Sequence, residues 1–148
     1  MGSFFSYSEK ETKAFAGGFA KLLKPGDCID LVGAMGAGKT AFVKGVAESC
    51  GFPSEDVSSP SYALINEYEF GGLDMPFWHL DLYRLERVDS LEDLGLDPYE
   101  REDGVVFLEW PERLADFTWS ANWKIVITPR RDLGEDVRHI EWVNQKRN

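Results

Sequence analysis

Cysteine and histidine are scarce: the 148 residues hold two of each. Cys28 and Cys50 form no C-x-x-C pair and stand in no histidine cluster, which removes a cysteine-based zinc site. Two lone thiols read as small buried apolar residues in a reducing compartment, so the expected location is cytoplasmic. No apolar run approaches the length of a membrane span and no signal-peptide pattern opens the chain, so no membrane is expected. Met1-Gly2-Ser3-Phe4-Phe5-Ser6 meets the loose N-myristoylation pattern, which is short enough to arise by chance. Basic charge is also in deficit, with 16 Lys and Arg against 26 Asp and Glu and a net charge of −10. A polynucleotide surface usually shows a basic field, so direct nucleic-acid binding is not expected and a basic protein partner fits better. No internal repeat and no linker divide the chain, so residues 1–148 read as one domain.

Against these absences stands one dense motif, Gly33-Ala34-Met35-Gly36-Ala37-Gly38-Lys39-Thr40. It matches the phosphate-loop pattern G-x-x-x-x-G-K-[ST] at every fixed position. The apolar run Cys28–Val32 before it predicts a buried strand, and Ala41–Glu48 after it an amphipathic helix. Strand, glycine loop and helix are what the chemistry requires. Glycines allow backbone angles that other residues resist. The bare N–H groups and the helix N-terminus then hold a polyphosphate. Lys39 would reach the β- and γ-phosphates and the Thr40 hydroxyl would bind Mg²⁺. A chance glycine-rich turn would not come with both flanking elements.

The rest of the chain reads as alternating elements. Phe4–Tyr7 is an edge-strand candidate. Ser8 and Glu11 form a capping box for a helix whose apolar face carries Phe15, Phe19, Leu22 and Leu23. Pro25-Gly26-Asp27 turns the chain into the loop strand. Val57-Ser58-Ser59-Pro60-Ser61-Tyr62 follows the loop helix, where nucleotide switches sense the γ-phosphate and the metal; an ordinary turn fits equally well. Ala63–Phe70 and Phe77–Arg84 read as a hairpin closed at Gly71-Gly72. On the second strand Trp78, Leu80 and Leu82 share one face, and His79, Asp81 and Tyr83 the other. That polar face is either a metal or water site or an ordinary solvated surface. Arg87–Glu102 reads as charged helical turns over the surface. Gly104–Trp110 sets four apolar residues before Glu109, as in a Walker B strand whose carboxylate holds Mg²⁺, and its spacing suits a parallel neighbour of the loop strand. Two more strands, Trp123–Ile127 and Val137–Trp142, flank Arg130-Arg131, a pair that meets either phosphate or solvent. The expected fold is α/β: a single P-loop NTPase domain with a mixed, mainly parallel central sheet flanked by helices.

Gly33–Thr40, Ser58-Ser59-Pro60-Ser61, His79-Leu80-Asp81-Leu82-Tyr83-Arg84 and Glu109-Trp110-Pro111-Glu112-Arg113 together resemble the TsaE (YjeE) family of small bacterial ATPases. The resemblance runs from the first helix to the tryptophan motif. The last thirty or so residues match only in pattern. It implies a slow, Mg²⁺-dependent ATPase that binds ATP and ADP. The family acts with the TsaB–TsaD pair to form threonylcarbamoyl-adenosine at position 37 of tRNAs reading codons that begin with adenine, and the acidic charge suggests that tRNA is met only indirectly. It implies a nucleotide shell of Gly33, Gly36, Ala37, Gly38, Lys39, Thr40 and Ala41, with Thr12, Ser61 and Arg130 around it. Thr40, Asp81 and Glu109 fall at the metal, and Lys39, Asp81 and Glu109 at the reaction. Ser61 stands where the family usually has threonine, and Ala34 where an aspartate is common. A small-molecule kinase built on the same loop is the alternative, though the chain is short for an acceptor pocket and an arginine-rich lid. A non-catalytic, nucleotide-gated module is the third reading, but the Asn-Lys-x-Asp of guanine readers is missing.

Overall fold

Apolar patterning sorts the chain into the elements β1 (Gly2–Ser6), α1 (Glu9–Ala20), β2 (Cys28–Val32), α2 (Lys39–Ser49), β3 (Ile65–Tyr68), β4 (Phe77–Asp81), β5 (Val105–Glu109), β6 (Trp123–Pro129) and β7 (Arg138–Asn144). They are seen in a computed structural model, which describes residues 1–34, 36–51, 65–68 (backbone), 76–97, 99, 102–115 and 119–145. The predicted serine-rich segment and the Gly71-Gly72 turn lie outside the described residues.

The strands form a seven-stranded sheet in the order β1-β7-β6-β2-β5-β4-β3. The central strands β6, β2, β5 and β4 run parallel. The outer pairings β1–β7, β7–β6 and β4–β3 are antiparallel. The mixed sheet expected from the sequence is therefore present, with the loop strand between two parallel neighbours. Every central strand ends on the same edge, which is where α/β sheets place their ligands.

Alternation along the strands separates two cores. Ile29, Leu31, Phe107, Ile125 and Ile127 face α1 and α2 and meet Phe19, Phe42, Val43 and Val46. Trp78, Leu80, Val106 and Leu108 face the opposite way and meet Leu82, Val88, Leu91 and Leu96. Both described α-helices thus lie on one face. The other is covered by the segment expected to skim the surface: a 3-10 turn over Leu91–Leu94 sends Leu91 inward and leaves its acids in water.

The start of α1 shows how closely local sequence dictates structure. Ser8 Oγ accepts the Glu11 N–H at 3.1 Å, as the capping box requires. The Glu11 carboxylate returns the bond one residue further out, on Tyr7 N–H at 3.0 Å. The helix ends at Ala20, so Leu22, expected on the apolar face, is exposed, while Leu23 is buried. Both fixed positions of the acylation pattern have packing duties. A Cβ on Gly2 would lie 2.4 Å from the Trp142 ring, and the buried Ser6 hydroxyl bonds Thr12 at 2.7 Å.

Helices α1 and α2 touch where a Cβ on Gly45 would stand 2.3 Å from the Lys13 carbonyl oxygen. Valine there must push the helices apart. Gly45→Val is expected to lower stability by about 3 kcal/mol, the upper range for overpacking, and Tm by roughly 10 °C. A thermal melt with unchanged Tm would show that this contact is not close-packed.

Candidate nucleotide-binding site

The chain leaves β2 at Val32 and must pass beneath β6. A Cβ on Gly33 would lie 2.7 Å from the Ile127 carbonyl oxygen, so glycine is required for the passage. Ala37 N–H bonds Ala34 O at 3.0 Å. Gly36 and Gly38 then take φ of +79° and +112°, angles that cost glycine nothing. Gly38 is the N-cap of α2 and has no side chain to cap it. The Phe42 N–H bonds Gly38 O at 3.0 Å, which leaves the earlier N–H groups of Lys39, Thr40 and Ala41 without intrahelical acceptors. No acidic side chain stands in the first turn of α2 to satisfy them. A loop and helix end of this kind are an anion cradle.

Lys39 is folded back into the cradle. Its Nζ donates to Gly33 O at 2.6 Å, lies 3.3 Å from Glu109 Oε1, and sits 5.1 Å from the centre of the Trp110 ring. The sheet explains the partner. Register sets Leu31 beside Glu109 and Asp81 on its other side, so the two acids end adjacent parallel strands on one face. His79 Nε2 is 2.5 Å from Glu109 Oε2. Burial pushes the Glu109 carboxyl up, but the hydrogen bond and charge of His79, then Lys39, outweigh it and hold the group below its ordinary value. As a carboxylate Glu109 only accepts, so His79 Nε2 donates. His79 Nδ1 is buried without a hydrogen-bond partner among the described residues.

The polar side of β4 is therefore not a solvated surface. His79 is wholly buried and Asp81 is 5% exposed. Parallel β5 on one flank and the loop helix over the face exclude the water that a free antiparallel strand would meet. Asp81 Oδ1 also accepts the Tyr83 N–H at 2.9 Å and fixes the turn out of the strand.

Trp110 is the non-glycine residue with positive φ (+59°) among those described. The left-handed turn carries its ring off the end of β5 and over Lys39. Tyr83 stacks edge-on against it at 5.1 Å and the Arg113 guanidinium lies 5.6 Å from it. Arg113 Nη1 is anchored on the carbonyls of Tyr83 and Leu85 at 3.0 and 2.5 Å. The tryptophan thus belongs both to the wall of the site and to an aromatic–arginine cluster that surfaces at Tyr83.

Two hollows of about 220 Å³ flank the loop. One is lined by Val32, Gly33, Ala34, Trp110, Pro111 and Glu112. The other is lined by Glu9, Thr12, Gly38, Ala41, Asp136 and Arg138. Thr12 and Ala41, both named from sequence, thus meet at one cavity wall. Arg130 is held instead in a bidentate pair with Asp132 at 2.8 and 2.9 Å, with its guanidinium over Phe5, and it does not line that cavity. The arginine that reaches the loop is Arg138, whose Nε donates to Ala37 O at 2.8 Å. Sequence inspection passed over it because it reads as one more polar strand residue. Ser61 lies outside the described residues.

Thr40 is half-buried at the first turn of α2. No group of three or more His, Cys, Asp or Glu side chains is gathered for a metal among the described residues. Magnesium binds one or two protein oxygens and completes its shell with phosphate and water, so it needs no such cluster.

The sheet order, the glycine loop and the buried lysine define a P-loop NTPase-like α/β protein. The family model described as "Threonylcarbamoyl adenosine biosynthesis protein TsaE" matches residues 6–145, and the chain belongs to the TsaE family. It is 43% identical over 131 residues to the tRNA threonylcarbamoyladenosine biosynthesis protein TsaE of Bacillus subtilis, covering 88% of this chain and 78% of that one. The TsaE of Treponema pallidum is 32% identical over 132 residues, 86% and 95% of the two chains. Among solved structures, the crystal structure of Bacillus subtilis YdiB superposes with a TM-score of 0.71 at 34% identity, covering 97% of this chain and 85% of the other. No helix among the described residues is long and apolar enough to cross a membrane.

Proposed function

We propose that this protein is a slow, magnesium-dependent ATPase serving the formation of threonylcarbamoyl-adenosine at position 37 of tRNAs that read codons beginning with adenine. It works in the cytoplasm within a complex of the TsaB–TsaD type, and tRNA is held by the partners rather than by this acidic chain. The observation that carries the reading is Lys39 buried between the Gly33 carbonyl and Glu109, at the mouth of the anion cradle. A lysine in that position is the cation that phosphate chemistry needs, kept off water until phosphate displaces the carboxylate.

The residues divide the work. Backbone N–H groups of Gly36, Gly38, Lys39, Thr40 and Ala41 bind and orient the β- and γ-phosphates. Lys39 leaves Glu109 and neutralises the phosphate charge. Thr40 and Glu109 hold Mg²⁺, which supplies electrostatic stabilisation of the transferring phosphoryl group. Asp81, next to Glu109, orients the attacking water. The hollow at Thr12 and Ala41 takes the nucleoside end.

Turnover by the isolated protein is expected to be far below the roughly 10 s⁻¹ of a median enzyme. Arg138 spends its Nε on a loop carbonyl, and Arg113 spends its Nη1 on backbone carbonyls. Neither is free to act as the finger that, supplied in trans, raises phosphoryl transfer by orders of magnitude. The experiment is ATP hydrolysis by the purified chain with and without the TsaB–TsaD pair. Strong stimulation supports the assignment, whereas fast turnover by the chain alone removes the role given to the partner.

A further inference from the structure

We infer that Arg138 is a positioning residue for the phosphate cradle: by gripping the Ala37 carbonyl it aims the Gly38 N–H at the nucleotide. The inference rests on the nucleotide-binding reading above and adds a component from the far end of the chain.

Arg138 opens β7, paired in register with Pro129 of β6 and Ser6 of β1. Its side chain reaches the loop at Ala37 and lines the hollow shared with Thr12, Gly38 and Ala41. Nε donates to Ala37 O at 2.8 Å, and Nη1 donates to Glu135 O at 2.9 Å and Val137 O at 3.1 Å. None of these acceptors is a carboxylate. The side chain is thus fixed at two nitrogens by backbone alone, which makes it a rigid strut between the β6–β7 turn and the loop. A Cβ on Gly38 would lie 3.7 Å from Arg138 Nε, so the strut lies against the Ala37–Gly38 peptide.

That peptide is trans, as are all described peptides. In a trans peptide the C=O and the following N–H point in opposite directions. Holding the Ala37 carbonyl toward β7 therefore turns the Gly38 N–H away from β7, to the side on which the nucleotide-binding reading places the phosphates. Without the strut, Gly38 at φ +112° sits in a region where glycine rotates easily, and the direction of that N–H is lost. The Ala37 carbonyl is also the acceptor that Ala41 N–H would find if α2 were extended backwards. A guanidinium on it favours leaving that N–H to the ligand.

The test separates the donor from the charge. Glutamine places an uncharged N–H donor at the chain position of arginine Nε, and methionine matches its length with no donor. The ADP affinity of wild type, Arg138→Gln and Arg138→Met is measured by calorimetry with Mg²⁺, and the Gly38 amide resonance is followed in glycine-labelled protein without nucleotide. The expected result is ADP affinity within about threefold of wild type for Arg138→Gln, and a loss of about tenfold for Arg138→Met, the scale of one net hydrogen bond. The Gly38 amide should shift in Arg138→Met and stay near its wild-type position in Arg138→Gln. Equal losses in both variants would assign Arg138 a charge role and overturn the inference, as would wild-type affinity in both. If Arg138→Met does not fold, a tenfold loss in folded Arg138→Gln overturns it and near-wild-type affinity upholds it. Failure of the wild-type protein to bind ADP would instead refute the nucleotide-binding reading itself.

Discussion

Lys39→Ala is expected to lower ATP and ADP affinity by two to three orders of magnitude. A charge-assisted hydrogen bond contributes about 1.5–3 kcal/mol, and two of them to phosphate, each at about 1.5–2 kcal/mol in the lower part of that range, give about 3–4 kcal/mol. The structure adds a consequence that the motif does not show. Lys39 and Glu109 are both almost fully buried and 3.3 Å apart, so the alanine variant leaves the carboxylate with His79 as its remaining strong partner. Losing one partner from a buried pair costs stability, here about 1–3 kcal/mol because His79 remains. Tm should fall by roughly 3–10 °C, with the fold retained. Calorimetry and thermal melting on the same sample read the two effects. Unchanged nucleotide affinity would refute the loop assignment. A large loss of affinity with no change in Tm would show that the Lys39–Glu109 pair is energetically idle.

Glu109→Gln is expected to cut turnover by about a hundredfold or more, the scale of removing one preorganised electrostatic contact at a transition state. It should also weaken Mg²⁺-dependent nucleotide binding, because the amide cannot hold the metal as a carboxylate does. Asp81→Asn should reduce hydrolysis more than binding. Small and equal effects in both variants would reduce the two acids to structural groups. A second signature follows from protonation. Glu109 is held below its ordinary value of 4.5. Its folded state therefore binds a proton less readily than the unfolded chain, and the stability it contributes is fully present above about pH 4.5. That contribution is lost as pH falls through the lowered value. The stability difference between wild type and Glu109→Gln should shrink across that acid range in urea titrations. A difference independent of pH would mean that the carboxylate is not held by His79 and Lys39.

The sequence disclosed the parts of this site that chemistry forces into short patterns. Gly33–Thr40 is legible because a phosphate cradle needs glycines, a lysine and a hydroxyl within eight residues. Glu109 is legible because an acid ending a buried apolar strand is itself a pattern. The alternation of β4 is legible, whereas the medium around it stays open in the sequence between a buried site and solvent. Whether His79 and Asp81 meet water depends on β5 and α2 covering that face, and no local pattern records this. Leu22 failed because a helical period continues on paper past the residue where the backbone stops. Arg138 was invisible for a sharper reason: its bond to Ala37 spans 101 positions, and only the sheet order brings the two together. The covering of the second face by Leu91 and Leu96 was equally hidden, since a charged stretch with spaced leucines reads as surface until a sheet needs closing.

The loop's supports come from the opposite end of the chain, and this bears on the order in which the protein acquires its activity. Ile127 O roofs Gly33, Arg138 grips Ala37, and Asn122 accepts the Cys28 N–H across 94 positions at the base of the loop strand. Contacts so distant in sequence close large loops before they return any energy, so they form late. A ribosome-bound chain that has already exposed the whole Gly33–Thr40 motif still lacks β6 and β7, and with them the surfaces that shape it. The shape of the loop thus waits on β6 and β7: the motif is synthesised early, and the cradle is assembled last.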